Sequence, residues 1–301
     1  MRKIIAILVF GIGLLAFYAC VEEYNINVPQ AEKLLVVDGL ITDDTTAYTV
    51  TLTETSPFVT QPASTRPVIN PVRDAVLTIK DDQGNEEILA ESEPGIYTSK
   101  GIHKGGLQGV AGRKYHIEIV RNSKKYVSQP EMLKPAQVID GLFAEFNAIN
   151  EESRKKGHEV FINTKDAVNQ DDYYRWSWTA YYAFTSDCNA TPSDAVCNQQ
   201  YAGLRCLPSC YMKIDERRFT ILVDSDDLFN GKTFVKPLGF VPFNSKGKVL
   251  FTAQQFSLSQ KAYNFWKLVY EQSRLSGSIF DKPPAFIQGN VSNENDKSEI
   301  V

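Results

Sequence analysis

A mainly β protein in two parts is what this 301-residue sequence predicts. An N-terminal antiparallel sandwich of the immunoglobulin or transthyretin type should be followed by a second β-rich domain with one packed C-terminal helix. Three observations predict it. Short runs rich in Val, Ile, Thr and Tyr recur between turn signals from Leu34 to about Pro130, as in all-β sandwiches. The texture changes at "SQPEMLKPAQVIDGLF", where Pro130 and Pro135 mark a linker. Close to the C-terminus, one segment switches from a period of two to a helical period. The expected divisions are a leader over 1–19, a tether over 20–33, the sandwich over 34–130, and the second domain over 131–301. That second domain should carry a cysteine-tied excursion over 188–210 and a helix over 258–275.

Taken in order, "KLLVVDGLIT" and "AYTVTLTET" read as strands separated by "DDTTA", with Val50 and Leu52 alternating with Thr49, Thr51 and Thr53. "DAVLTIKDDQGNEEILAES" reads as a hairpin: Val76, Leu77 and Ile79 lead into the turn "DDQGN", and Ile88 and Leu89 return. "GIYTSK" and "KYHIEIVRNSKKYVSQ" supply further strands, the latter a hairpin about Asn122 and Ser123. Past the linker come "GHEVFINTKDA", "DYYRWSWTAYYAF", "RRFTILVDS" and "KVLFTAQQFSL". Trp176 and Trp178 sit two apart, so they share one face of a strand and are expected to pack there. In "SLSQKAYNFWKLVYEQSRLSG", Ser257 and Gln260 match a capping box. Ala262, Phe265, Trp266 and Val269 make an apolar stripe that should dock the helix on the sheet, and Gly277 stops it.

The leader carries an address. Arg2 and Lys3 precede an apolar stretch from Ile4 to Tyr18 and the small Ala19, which are the parts of a secretory signal peptide. Cys20 follows directly, so the cut is expected just before it and its thiol is expected to be diacylated. A transmembrane anchor fits less well, because spanning a bilayer takes about 20 apolar residues and this stretch is shorter. One departure is Phe17, which stands where bacterial lipoboxes usually carry Leu. Glu22 and Glu23 resemble the acidic signal that sends Bacteroidetes lipoproteins to the outer face of the outer membrane. The expected location is therefore the outer membrane, lipid-anchored and facing the cell exterior.

Removing the leader takes the formal charge from −4 to −6, because it carries Arg2 and Lys3 and no acid. No cluster of Lys and Arg interleaves with aromatics, so no nucleic-acid partner is expected. The other four cysteines, Cys188, Cys197, Cys206 and Cys210, fall in one short segment. In an exported protein they read as two disulfides with three connectivities open. A zinc site competes less well: structural zinc wants closely spaced Cys pairs, only Cys206 and Cys210 come near, and His103, His116 and His158 are far off. No metal and no cofactor is expected. Neither G-x-S-x-G, H-E-x-x-H, a P-loop nor a dinucleotide fingerprint is present. Asp224, Asp226 and Asp227 resemble the start of a calcium loop, but Phe229 and Val235 occupy the positions that need Gly and Glu. A polar turn is the better reading there.

The C-terminal "FSLSQKAYNFWKLVYEQSRLSGSIFDKPPAFIQGNVSN" resembles the closing signature of the DUF4249 family of Bacteroidetes lipoproteins. The matching residues are Ser259, Ala262, Tyr263, Phe265 and Trp266, then Gly277, Phe280, Asp281, Pro284, Gly289 and Asn290. "LLVVDGLITDD", "AVLTIKDDQG" and "GIYTS" are similar to the family's first domain, and "VIDGLFAEF" to its interdomain motif. Members usually continue into a "GYF"-type strand. The sequence ends at Val301, so either a missing last strand or truncation is expected. The resemblance implies an outer-membrane lipoprotein associated with a TonB-dependent transporter. The expected role is non-enzymatic: an accessory that captures a ligand on a surface including Tyr181, Tyr182, Tyr201, Asp281 and Asn290. The alternative is a structural or adhesive envelope protein with no transport role. A third reading, a hydrolase, requires clustered carboxylates of perturbed pKa in a pocket.

Overall fold

A computed structural model describes residues 33–56, 69–151, 155–168, 170–185, 209–215, 221–243, 248–275, 287–299 and 301. The leader, Cys20 and the tether up to residue 32 lie outside the described residues. So do Cys188, Cys197, Cys206, Tyr201, Gly277 and Asp281. The described chain is mainly β, with antiparallel sheets and one α-helix, as the sequence predicts.

The first unit is built from β1 (Leu35–Gly39), β2 (Thr49–Glu54), β3 (Asn70–Pro71), β4 (Val76–Asp81), β5 (Glu86–Glu93), β6 (Ile96–Thr98), β7 (Lys114–Arg121), β8 (Lys124–Ser128) and β9 (Glu131–Met132). One long strand joins its two halves. The first part of β5 pairs with β4, placing Leu89 opposite Leu77, and its later part, from Ala90, pairs with β6. A bulge between Glu91 and Glu93 lies in that later part, and bulges bend and twist a strand. Leu35, Val50, Leu52 and Tyr97 from one half thereby share a core with Leu77, Ile79, Ile119 and Tyr126 from the other. The alternation holds in detail: Val50 and Leu52 are buried, while Thr49 is exposed and Thr51 and Thr53 are half-buried.

Turn chemistry sets the hairpin registers. In the β4–β5 turn, Asp81 Oδ1 accepts from the N–H groups of Gln83 and Asn85, each at 2.9 Å, and Gly84 takes φ 86°. Burial alone would push the Asp81 carboxyl up. The hydrogen bonds from Asn85 and Gln83, with the Arg113 guanidinium beside it, hold it below the usual carboxylate range instead. In the β7–β8 turn, Asn122 and Ser123 adopt φ 49° and 64°, the pair of positive φ values that a tight type I′ hairpin requires.

The second unit packs two sheets face to face. One is β10 (Ile139–Asn147), β11 (Gly157–Lys165) and β15 (Thr233–Pro242), in that order. The other centres on β12 (Tyr173–Thr185), which pairs with β13 (Ser209–Asp215), β14 (Leu222–Ser225) and β16 (Val249–Leu258). Every second residue of β12 from Tyr174 to Tyr182 points inward and is buried against Val160, Ile162, Leu238 and Val241. Trp176 and Trp178 are among them, as their spacing requires. The sheets meet so closely at Gly239 that a Cβ there would lie 2.5 Å from the Trp178 ring.

Helix α1 (Gln260–Ser273) crosses the outer face of β12. Its N-cap corrects the capping box expected at Ser257. Ser259 is the cap, its Oγ accepting the N–H of Ala262 at 3.1 Å, whereas Ser257 still belongs to β16, opposite Tyr174. β16 runs on through Leu258, so the backbone leaves the extended state later than the sequence pattern suggested. Ala262, Phe265, Trp266 and Val269 are all half-buried. Tyr263 stacks on Tyr173 at 4.9 Å, and the Arg175 guanidinium lies 4.2 Å from the Trp266 ring centroid.

The division at residue 130 needs two corrections. β9 pairs with β7, and Leu133 packs on the first core, so the first unit runs past Pro130. The last strand, β17 (Val291–Asn293), does not join the second unit at all. It pairs with β8, with Val291 opposite Ser128 and Asn293 opposite Tyr126. The reason is the edge of β8, whose outward backbone groups need partners. The chain end supplies them, and Val291 and Val301 add apolar contact to the first core.

Candidate functional site

The second sandwich has two ends of opposite character. At the end nearest the linker, three carboxylates are buried: Asp166, Asp172 and Asp226, at 2, 1 and 2 % exposure. Asp166 accepts the Tyr174 hydroxyl on Oδ1 and the Gly231 N–H on Oδ2 at 2.8 Å. Asp172 accepts from Gln170 at 2.7 Å and Gln137 at 3.3 Å, with the Lys134 ammonium 4.0 Å away. Asp226 accepts from Asn230 at 3.1 Å and donates its own N–H to the Asp172 carbonyl. Burial, together with the charges of Asp166, Asp172 and Asp171, raises the Asp226 carboxyl above its ordinary value. Burial and the Asp166 hydrogen bond likewise push the Tyr174 hydroxyl far up, so it stays protonated and donates.

This cluster fastens the linker. Lys134 also donates to the Asp171 carbonyl at 3.1 Å, Gln255 donates to the Gln137 carbonyl at 3.0 Å, and Thr164 Oγ1 donates to the Val138 carbonyl at 2.7 Å. Among the described residues no group of three His, Cys, Asp or Glu side chains is placed to hold a metal ion. Of the three aspartates read as a polar turn, Asp224 lies in β14, and Asp226 and Asp227 open a short 3-10 segment, Asp226–Leu228, with Asp226 turned inward. A cleft of about 560 Å³ lies elsewhere, on the first unit, beside Glu86, Lys100, Gln108 and Arg113. Its Glu87 carboxylate is taken by the N–H groups of Lys100 and Leu107, both at 2.6 Å.

The opposite end presents aromatic and aliphatic side chains to solvent. Tyr182 places its hydroxyl 2.5 Å from the Pro242 carbonyl, Phe243 N–H donates to Lys156, and Asn147 faces Gly157, so these residues mark one rim. Tyr181 points to the outer face there, with Lys213 of β13 and Leu250 of β16 directly opposite on either side. Tyr211 lies two pairs further along, opposite Ala183, and is 73 % exposed, while Leu250 is 65 % exposed. Helix α1 covers the outer face near Tyr173 and Arg175. Tyr181, Tyr211, Lys213 and Leu250 form an exposed patch beyond it.

The expected surface is thus altered residue by residue. Tyr181 is on it. Tyr182 is not: strand alternation turns it inward, and it is a core residue at 4 % exposure. Asn290 accepts the Gln129 N–H at 2.7 Å through its carbonyl, which docks β17, while its side chain stays exposed. Cys210 is in β13 opposite Phe184, with its thiol outside what is described. Four further residues, which the sequence reading did not assign to a surface, meet at the same rim. Phe146 meets His158 edge-on at 5.5 Å, His158 lies 6.5 Å from Phe243, and Lys156 stands over the Phe243 ring at 5.4 Å. Of these only Phe146 lies in "IDGLFAEF", whose apolar residues on both faces also fit a buried strand, and the other three are brought there by strand pairing.

A family model described as a domain of unknown function, DUF4249, matches residues 21–301. The chain belongs to the DUF4249 family. No curated protein and no solved structure matches it. The match runs through both sandwiches, the linker, α1 and β17, so this DUF4249 chain carries its exposed tyrosine patch inside the family region.

Proposed function

We propose that this DUF4249 chain is a lipid-anchored protein of the outer membrane's external face that captures a ligand for a TonB-dependent transporter and catalyses no reaction. The observation that supports this reading is the polarity of the second sandwich. The end facing the linker is tied down by Lys134, Gln137 and Asp172, while the opposite end exposes Tyr181, Tyr211, Lys213 and Leu250. Tyrosines on a sheet face offer an apolar surface with a polar tip at low entropic cost, which suits peptide or glycan ligands. Cys20, with its leader, supplies the anchor, and the acidic pair Glu22 and Glu23 the outward address.

Two measurements test it. Mass spectrometry of the purified mature protein should find a diacylated Cys20 at the N-terminus; an unmodified thiol or an uncut leader would overturn the anchor. Affinity purification of the full-length protein from detergent-solubilised membranes should recover a β-barrel transporter. Recovery of no such barrel would remove the transport role.

A further inference from the structure

The nine-residue strand β10 is the edge of its sheet, paired with β11 on one side and, among the described residues, with no strand on the other. Its burial is unlike that of β11 or β12. Leu142 and Phe146 on one face and Phe143 on the other are 43, 59 and 41 % exposed. Long apolar edges template the addition of a further strand, and sheets usually blunt them with Lys, Pro or a mid-strand bulge. From Gly141 to Asn147 this strand has no Lys, no Pro and an unbroken register; its one irregularity lies between Ile139 and Gly141.

We infer that β10 pairs antiparallel with β10 of a second copy of this chain, about a twofold axis through Phe143. The strand is self-complementary under that operation. A twofold axis normal to the sheet keeps each face on its own side, so residues meet across it with matching parity. Phe143 then faces Phe143, Leu142 faces Ala144, and Gly141 faces Glu145. The only two charges of the strand, Asp140 and Glu145, therefore meet Phe146 and Gly141 rather than each other or themselves. Like charges directly opposed would weaken the pair, and none is.

The aromatic contacts favour the same occupant. Phe143 stacks on Phe161 of β11 at 5.2 Å with the rings 13° apart. Symmetric pairing joins two such stacks into a continuous row of four rings across the junction, while Leu142 and Ala144 cover each other on the opposite face. Edge pairing of this length sits at the small end of stable interfaces, so the association is concentration-dependent. It is independent of ligand capture.

The test uses the full mature chain. A photoreactive phenylalanine analogue replacing Phe143 should yield a covalent homodimer on illumination, and sedimentation of the unmodified chain over a concentration series should show a monomer–dimer equilibrium. Phe143→Lys should weaken that dimer by about tenfold. Gly141 tests the register, because a Cβ there meets nothing within 4 Å and the fold tolerates it. Gly141→Lys, facing Glu145, should tighten the dimer by about two- to tenfold, and Gly141→Asp should weaken it to a similar degree. A purely structural disturbance would not change sign with charge. The inference is overturned by a monomer throughout the series, by photocapture of a different protein, or by a dimer indifferent to all three substitutions.

Discussion

The Tyr126 hydroxyl donates to the Glu299 carboxylate at 2.9 Å, joining residues 173 positions apart. The same carboxylate accepts from Lys124 at 3.0 Å and from Asn293 at 2.5 Å. Through it the chain end is fastened to the first sandwich, after the whole second sandwich has been built in between. In chain order the described strands thus belong to the first unit, then to the second, and with β17 to the first again.

Acid should release this clasp. The Asn293 and Lys124 hydrogen bonds hold the Glu299 carboxyl below its ordinary value of 4.5. A carboxyl lowered on folding contributes stability that is present above its unfolded pKa and lost as pH falls through the folded one. Hydrogen exchange should therefore show β17 and β8 losing protection as pH drops below about 4.5, before the β4–β7 core does. Glu299→Ala should cost about 1 kcal/mol at neutral pH and remove this acid-dependent step.

Asp226 should behave in the opposite sense. Its carboxyl is raised by burial and by neighbouring Asp166 and Asp172, so ionisation at neutral pH opposes folding. The penalty fades as pH falls through the raised folded pKa. Asp226→Asn keeps an acceptor oxygen for Asn230 and should raise Tm at neutral pH, with the gain shrinking in acid. An Asp226→Asn variant less stable than the parent at every pH would show that the carboxylate is needed.

Capping of α1 separates two serines two positions apart. Ser259→Ala removes the acceptor for the Ala262 N–H and should cost about 1 kcal/mol in denaturant unfolding. Ser257→Ala should be neutral or slightly stabilising, since its buried Oγ has no hydrogen-bond partner among the described residues. A larger loss at Ser257 would move the cap.

Tyr181 and Tyr182 should part in the same way. Tyr182→Ala empties a core position and should cost about 3–5 kcal/mol, of which Tyr182→Phe, losing only the bond to Pro242, accounts for about 1. Tyr181→Ala should stay within about 1 kcal/mol of the parent in the same unfolding measurement. Equal destabilisation by both alanines would place Tyr181 in the core as well.

Local patterns were legible wherever one face of an element meets a core. The alternation in β2 and β4, the inward row of Trp176 and Trp178, the Asn122–Ser123 turn and the stripe of α1 could all be read from spacing. Each is a property of residues only a few positions apart. The exposed strand β10 could not be read correctly, because its doubly apolar pattern is also that of a fully buried strand. Nothing local distinguishes the two; the position of β11 and the reach of the opposite sheet do.

By itself the sequence determined the strand and helix periods, the turn types and the pairing faces, because these depend on backbone sterics and on which side chains avoid water. Only the tertiary structure decided that β17 completes the first sheet rather than the second, that Tyr182 is core while Tyr181 is surface, and that Asp166, Asp172 and Asp226 converge. Those outcomes depend on contacts between segments far apart along the chain. Periodicity carries no information about which distant edge, ring or carboxylate will be the neighbour.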